Sequence, residues 1–140
     1  MPKILGIDYG MVRTGLAITD ELQIIASPLQ TVPTKELIST LQKIIDKEKI
    51  CIVVLGEARK LDGSESAISK EQEKFVTVLQ KKFPGIRIER IDEAFTSKLA
   101  AQSMIASGMK KSDRQKKGNL DMISAALILR SYLEKNTRNF

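Results

Sequence analysis

A chain of 140 residues is long enough to bury one hydrophobic core without disulfide or metal staples. Its 42% hydrophobic and 29% charged residues are those of an ordinary globular protein. The formal charge of +6, from 23 basic and 17 acidic side chains, favours a polyanionic partner such as nucleic acid. Histidine is absent, which excludes Ser-His and Cys-His nucleophilic pairs, His-based zinc sites and the commonest general base. Any chemistry falls to carboxylates, lysines, hydroxyls or a hard metal ion.

The opening run Lys3-Ile4-Leu5-Gly6-Ile7-Asp8-Tyr9-Gly10 reads as a short buried strand stopped by a turn, with Asp8 at its far end. Two readings of Asp8 stand side by side: a turn-opening acid that accepts backbone N–H bonds, or a ligand displayed at a sheet edge. Arg13 to Thr19 predicts a second strand, joined to the first as an antiparallel hairpin. Gln23 to Val32, with Pro28 inside, predicts a third strand on an edge. Thr34 is expected to cap a helix reaching about Glu48, with Leu37, Ile38, Leu41, Ile44 and Ile45 on one face.

Ile50 to Leu55, ended by Gly56, has the continuous bulk of a central strand buried on both faces, and Cys51 within it is expected to pack as a small core residue. After a polar loop, a helix starts between Ser66 and Glu71 and presents Phe75, Val78, Leu79 and Phe83 inward until Pro84-Gly85 stops it. Arg87 to Ile91 predicts a fifth strand, ending at Asp92-Glu93, and Thr96 or Ser97 caps a third helix through Ser107. Met109 to Lys117 is a basic loop whose Lys110, Lys111, Arg114, Lys116 and Lys117 repel one another unless an anion is present. A last helix starts near Asn119, with Asp121 in its first turn beside the small, buried-looking face of Ser124, Ala125 and Ile128, and frays beyond Glu134. No run is long enough to span a bilayer and the chain opens without a signal-peptide core, so a cytoplasmic protein is expected.

Three strands in a meander followed by helix, strand, helix, strand, helix, helix describe an α/β fold with a mixed sheet. Right-handed crossovers put the C-terminal ends of the parallel strands on one sheet edge, where ligand sites in such folds gather. Asp8, Glu57 and Asp92-Glu93 end there. Taken singly, Asp8 reads as a turn acid, Glu57 and Asp92 as solvated loop acids, and Asp121 as an acid favoured by its helix dipole. Together, with no His or Cys, they predict a site for Mg²⁺ or Mn²⁺, with Arg13 and the basic loop holding flanking phosphates.

Gly6-Ile7-Asp8-Tyr9-Gly10, Arg13-Thr14-Gly15, Asp62-Gly63-Ser64-Glu65, Ile91-Asp92-Glu93 with Thr96, and Leu120-Asp121 leading into Ala125 to Leu129 resemble the YqgF family across nearly the whole chain. The resemblance implies one RNase H-like domain over residues 1–140, a five-stranded mixed sheet in the order 3-2-1-4-5, and about four flanking helices. It implies that Asp8, Glu93 and Asp121 are catalytic, metal-binding acids of a nuclease that trims the 5′ end of pre-16S rRNA. The partner implied is structured RNA, presented on a ribosomal precursor particle, with a monomer or weak homodimer expected. A Holliday-junction or branched-DNA resolvase is the alternative within the same chemistry. Two departures stand out: Ala94 replaces a usual Arg, and Gly56-Glu57-Ala58 replaces Gly-Leu-Pro. The second puts Glu57 at a strand end where related junction resolvases carry a carboxylate, which makes it a possible fourth ligand. Readings of a different class are a phosphate-binding half of an actin-like ATPase, on the Gly-x-Asp-x-Gly run, and a catalytically silent RNA-binding module.

Overall fold

The computed structural model describes residues 2–57, 67–92 and 117–138. Five strands form one sheet: β1 (Lys3–Asp8), β2 (Arg13–Thr19), β3 (Ala26–Pro33), β4 (Ile50–Glu57) and β5 (Arg87–Asp92). Their order is β3-β2-β1-β4-β5. The hairpin pairs β1–β2 and β2–β3 are antiparallel, whereas β1–β4 and β4–β5 are parallel. This is the mixed sheet that the sequence predicts, in the order that the family resemblance implies. Three α-helices are described: α1 (Leu37–Glu48), α2 (Ala67–Lys82) and α3 (Lys117–Arg138). The helix expected from Thr96 or Ser97 to Ser107 lies outside the described residues. Among those residues, no helix is long and apolar enough to cross a membrane.

Alternation along the strands divides the core in two. Leu5 and Ile7 of β1, Leu16 of β2, and Val53 and Leu55 of β4 pack with Leu37, Leu41 and Ile44 of α1 and Phe75, Val76 and Leu79 of α2. On the other face Ile4, Ala17 and Val54 meet Ala125, Ala126, Ile128, Leu129 and Tyr132 of α3. β4 is thus covered on both faces, as its apolar run predicts. α3 is apolar around much of its girth because it spans β1, β2 and β3 closely.

Glycine makes that approach possible. A Cβ on Gly6 would lie 2.8 Å from the Ala125 carbonyl oxygen and 2.9 Å from Leu129 Cβ. One on Gly15 would lie 2.0 Å from the Asp121 carbonyl oxygen. Gly6 is therefore a packing residue in mid-strand, in addition to flanking the acid.

Several expectations shift in detail. β3 begins at Ala26 because the Asp20 carboxylate accepts the N–H groups of Ile24 (2.8 Å) and Ile25 (3.0 Å), and Gln23 adopts a left-handed φ of 57°. β3 is the edge strand, and its register with β2 slips between Leu16 and Ala17, opposite Gln30 and Pro28. Pro28 thus sits at a bulge on an edge, where its missing N–H does least harm. In α2 the inward face runs through Gln72, Phe75, Val76, Leu79 and Phe83, so Val78 points outward. Cys51 is only half-buried, its Sγ 3.6 Å from the Lys3 carbonyl oxygen. α3 starts at Lys117, two residues early, and continues to Arg138 where fraying was expected. Asp121 consequently belongs to its second turn, and the dipole explanation for that acid loses its basis.

Gly6→Ala is expected to cost about 1–3 kcal/mol as an overpacking change, and Gly15→Ala more, because its Cβ would come closer, 2.0 Å from the Asp121 carbonyl oxygen, and meet only backbone. Urea denaturation of the two variants checks both the sign and the order.

Candidate functional site

Strand parity decides which face Asp8 occupies. Ile4 and Gly6 pack against α3, so Asp8, two residues on, belongs to the same face at the C-terminal edge of β1. Asp8 pairs in register with Gly15, and Gly15 is the residue over which the Asp121 backbone rides. The backbones of two acids 113 positions apart in sequence are thereby both brought next to Gly15. Arg13 shares the parity of Gly15, and its Nε donates to Asp121 Oδ2 at 3.1 Å. Those side chains are 40% and 25% exposed, so the pair contributes only about 0.2–1 kcal/mol and its consequence is orientation.

On the other side of β1, Ile7 pairs with Leu55 of β4. Glu57 and Asp92 are in register with one another as the last residues of β4 and β5. The strand ends that carry the remaining candidate acids therefore do converge on the edge that holds Asp8. Glu93, next in the chain after Asp92, lies outside the described residues, as do Lys110, Lys111, Arg114 and Lys116. Lys117 is placed by its backbone as the first residue of α3. Among the described residues no three acidic or thiol side chains form a metal-sized group. Asp8 and Asp121 supply two carboxylates of hard-oxygen character, and a third donor has to come from elsewhere.

Three contacts hold this edge in place. The Thr34 hydroxyl donates to the Gly10 carbonyl oxygen at 2.6 Å, and the Thr34 N–H donates to the Val12 carbonyl oxygen at 2.9 Å. With its own proton committed, Thr34 Oγ1 accepts from the buried Thr14 hydroxyl at 2.9 Å. Thr34 thus clasps the turn between Asp8 and Arg13, and the chain enters α1 through a 3₁₀ turn, Thr34–Glu36, without a side-chain cap. Its expected role as helix cap is corrected: the hydroxyl is spent on the turn instead. The second contact is Tyr9, whose ring stacks on Phe75 of α2 with centroids 5.0 Å apart. Burial, then nearby Glu71, pushes the Tyr9 phenol upward, keeping it neutral beside the acids. The third is the buried Gln72, whose Nε2 donates to the Gly56 carbonyl oxygen at 2.8 Å and fixes the end of β4.

Sequence reasoning missed Gln72 and misplaced Thr34. A polar residue on the apolar side of α2, three before Phe75, was the available signal for Gln72. For Thr34 no local signal exists, since its partners are 20 and 24 residues away.

The sheet order, with helices on both faces, is that of an RNase H-like fold. Thermus thermophilus RuvC in complex with a Holliday junction substrate superposes with a TM-score of 0.62 at 14% identity, covering 96% of each chain. The yeast mitochondrial Holliday junction resolvase Ydc2 gives 0.58 at 13% identity, over 99% of this chain and 82% of that one. The fowlpox virus resolvase gives 0.54 at 17% identity, over 95% and 99%. At the level of sequence, the model of the RuvX family, described as Holliday junction resolvase, matches residues 2–135, and the chain belongs to that family. A relative from Flavobacterium psychrophilum, named as a candidate pre-16S rRNA nuclease, is 50% identical over 135 residues, covering 96% of this chain and 98% of its own. A Phocaeicola vulgatus relative of the same name is 48% identical over 134 residues, covering 96% of both.

Thr34→Val keeps the shape but strands the buried Thr14 hydroxyl, and is expected to cost about 1–3 kcal/mol. Thr34→Ser, which restores the hydroxyl, recovers most of that loss. Thermal denaturation, with amide hydrogen exchange at position 34 as the local reporter, distinguishes the clasp from a general packing effect.

Proposed function

We propose that this chain is a metal-dependent nuclease that hydrolyses phosphodiester bonds, with the 5′ end of pre-16S rRNA as its substrate. The observation that carries this reading is the meeting of Asp8 and Asp121 on the α3 face of one sheet edge, with Arg13 bonded to Asp121. Carboxylate oxygen donors without His or Cys suit Mg²⁺ or Mn²⁺. Asp8, Glu93 and Asp121 would hold the ion, with Glu57 as a further donor. When bound, it supplies Lewis-acid activation of water and neutralises charge on the leaving oxygen.

The chain's own residues set the geometry. Asp8 is fixed by the β1 register and by the stacked Tyr9, and Asp121 by the backbone contact with Gly15 and by Arg13 Nε. The Arg13 fork has donors beyond the one that Asp121 accepts, and these fit a phosphate next to the cleaved bond. Lys110, Lys111, Arg114, Lys116 and Lys117 are assigned to flanking phosphates, consistent with the overall charge of +6. The names carried by relatives at 48–50% identity support the rRNA reading. A branched-DNA resolvase is the second reading, favoured by the description of the family. A cytoplasmic location and a precursor-particle partner accompany the first.

Wild-type protein is expected to cleave structured RNA or branched DNA only with Mg²⁺ or Mn²⁺ present, and EDTA abolishes the reaction. Asp8→Asn and Asp121→Asn should each lose about 100-fold or more of the rate while still binding substrate. Cleavage that survives either substitution, after repurification away from contaminating nucleases, rules this site out. Binding without cleavage by the wild type marks the silent module.

A further inference from the structure

The turn between Asp8 and Arg13 displays two large apolar side chains to solvent, Met11 at 56% and Val12 at 75% exposure. Isolated exposed apolar residues are commonplace and need no explanation. Three features set this pair apart. The turn is clasped: Gly10 and Val12 both give their carbonyl oxygens to Thr34. It is also tight, since a Cβ on Gly10 would lie 2.2 Å from the Arg13 carbonyl oxygen. A rigid turn presents its side chains without the entropy cost of ordering them. Finally, the pair stands directly between the residue proposed to hold the ion and the residue proposed to hold a phosphate.

Among the described residues the other exposed large apolar side chains lie elsewhere: Leu22, Ile24 and Ile25 follow β2 at the opposite end of the sheet, Leu29 is within β3, and Val78 is on α2. Among the described residues, Met11 and Val12 are therefore not the rim of a large hydrophobic patch of the kind a protein partner needs. Two neighbouring apolar side chains next to an arginine that is proposed to hold a phosphate suit the apolar face of a nucleobase. Apolar wedges, Met among them, are used in this way to unstack a base step next to a backbone contact.

We propose that Met11 and Val12 form a base-contacting wedge that packs against the nucleobase beside the scissile phosphate and favours substrates in which that base is unstacked. The proposal rests on the nuclease reading and adds a determinant of which structures are cleaved.

The test uses the full chain and two synthetic probes, an RNA hairpin with a single-stranded 5′ extension and a four-way DNA junction. Each carries 2-aminopurine at the nucleotide where strand and branch meet. Binding of Asp8→Asn should raise the 2-aminopurine fluorescence of at least one probe, and adding Met11→Ser and Val12→Ser should remove that rise while affinity changes by less than about threefold. In the otherwise wild-type chain the same double substitution should slow cleavage about tenfold. Replacing the 2-aminopurine by an abasic site, which needs no unstacking, should restore the rate. An unchanged fluorescence rise overturns the wedge, as does an equal loss of rate on intact and abasic probes. If the wild type cleaves and Asp8→Asn does not, while the double variant matches the wild type, the wedge falls and the nuclease reading stands. If the wild type binds neither probe, both fall. If it binds without cleaving, the fluorescence comparison alone decides the wedge.

Discussion

The close seating of α3 on the hairpin β1–β2 is the constraint from which the rest of the candidate site follows. It depends on two missing side chains, at Gly6 and Gly15, which let helix backbone approach strand backbone to a distance no Cβ permits. Because Gly15 pairs with Asp8 and lies under Asp121, the same contact that seals one half of the core also decides how the backbones carrying the two acids are placed. Packing and chemistry are here one feature. A helix displaced outward by one methyl group would keep much of its apolar burial and lose the approach of its acid to the strand end.

The second layer is the bracing of the strand ends. Thr34, Phe75 and Gln72 each reach an atom within two residues of a candidate acid or its neighbour, and each belongs to an element on the sheet face opposite α3 or to its approach. The two faces therefore divide the work. α3 brings Asp121 to the edge, while α1, α2 and their connections hold the edge still. Bidentate pairing of Arg90 in β5 with Glu73 in α2 extends the bracing to the last strand, and the guanidinium holds the Glu73 carboxyl below the usual carboxylate range.

Much of the architecture was legible in the sequence. The apolar run to Leu55 placed β4 at the centre, Pro28 placed β3 at an edge, and the small residues beside Asp121 marked the buried face of α3. Those signals are local, set by period and by the missing N–H of proline. Non-local matters were not legible. Whether Gly6 merely flanks the acid or also receives a helix depends on a contact 119 residues further on, and whether Thr34 caps α1 or clasps a turn depends on Gly10. Val78 and Val76 exchange roles in α2 because the inward stripe also includes a glutamine, which apolar periodicity discounts. The candidate acids emerged from strand ends and from family resemblance together. Strand parity puts Asp8 on the α3 face of the sheet, and the seating of α3 on Gly15 puts Asp121 there too.

The central claim is that these two acids belong to a single hard-cation site. Anomalous scattering from crystals of the wild-type protein grown with Mn²⁺ measures it most directly. A manganese peak within bonding distance of both Asp8 and Asp121, lost in Asp121→Asn, is the predicted result. Manganese bound elsewhere on the chain, with no peak between those carboxylates, would contradict the account.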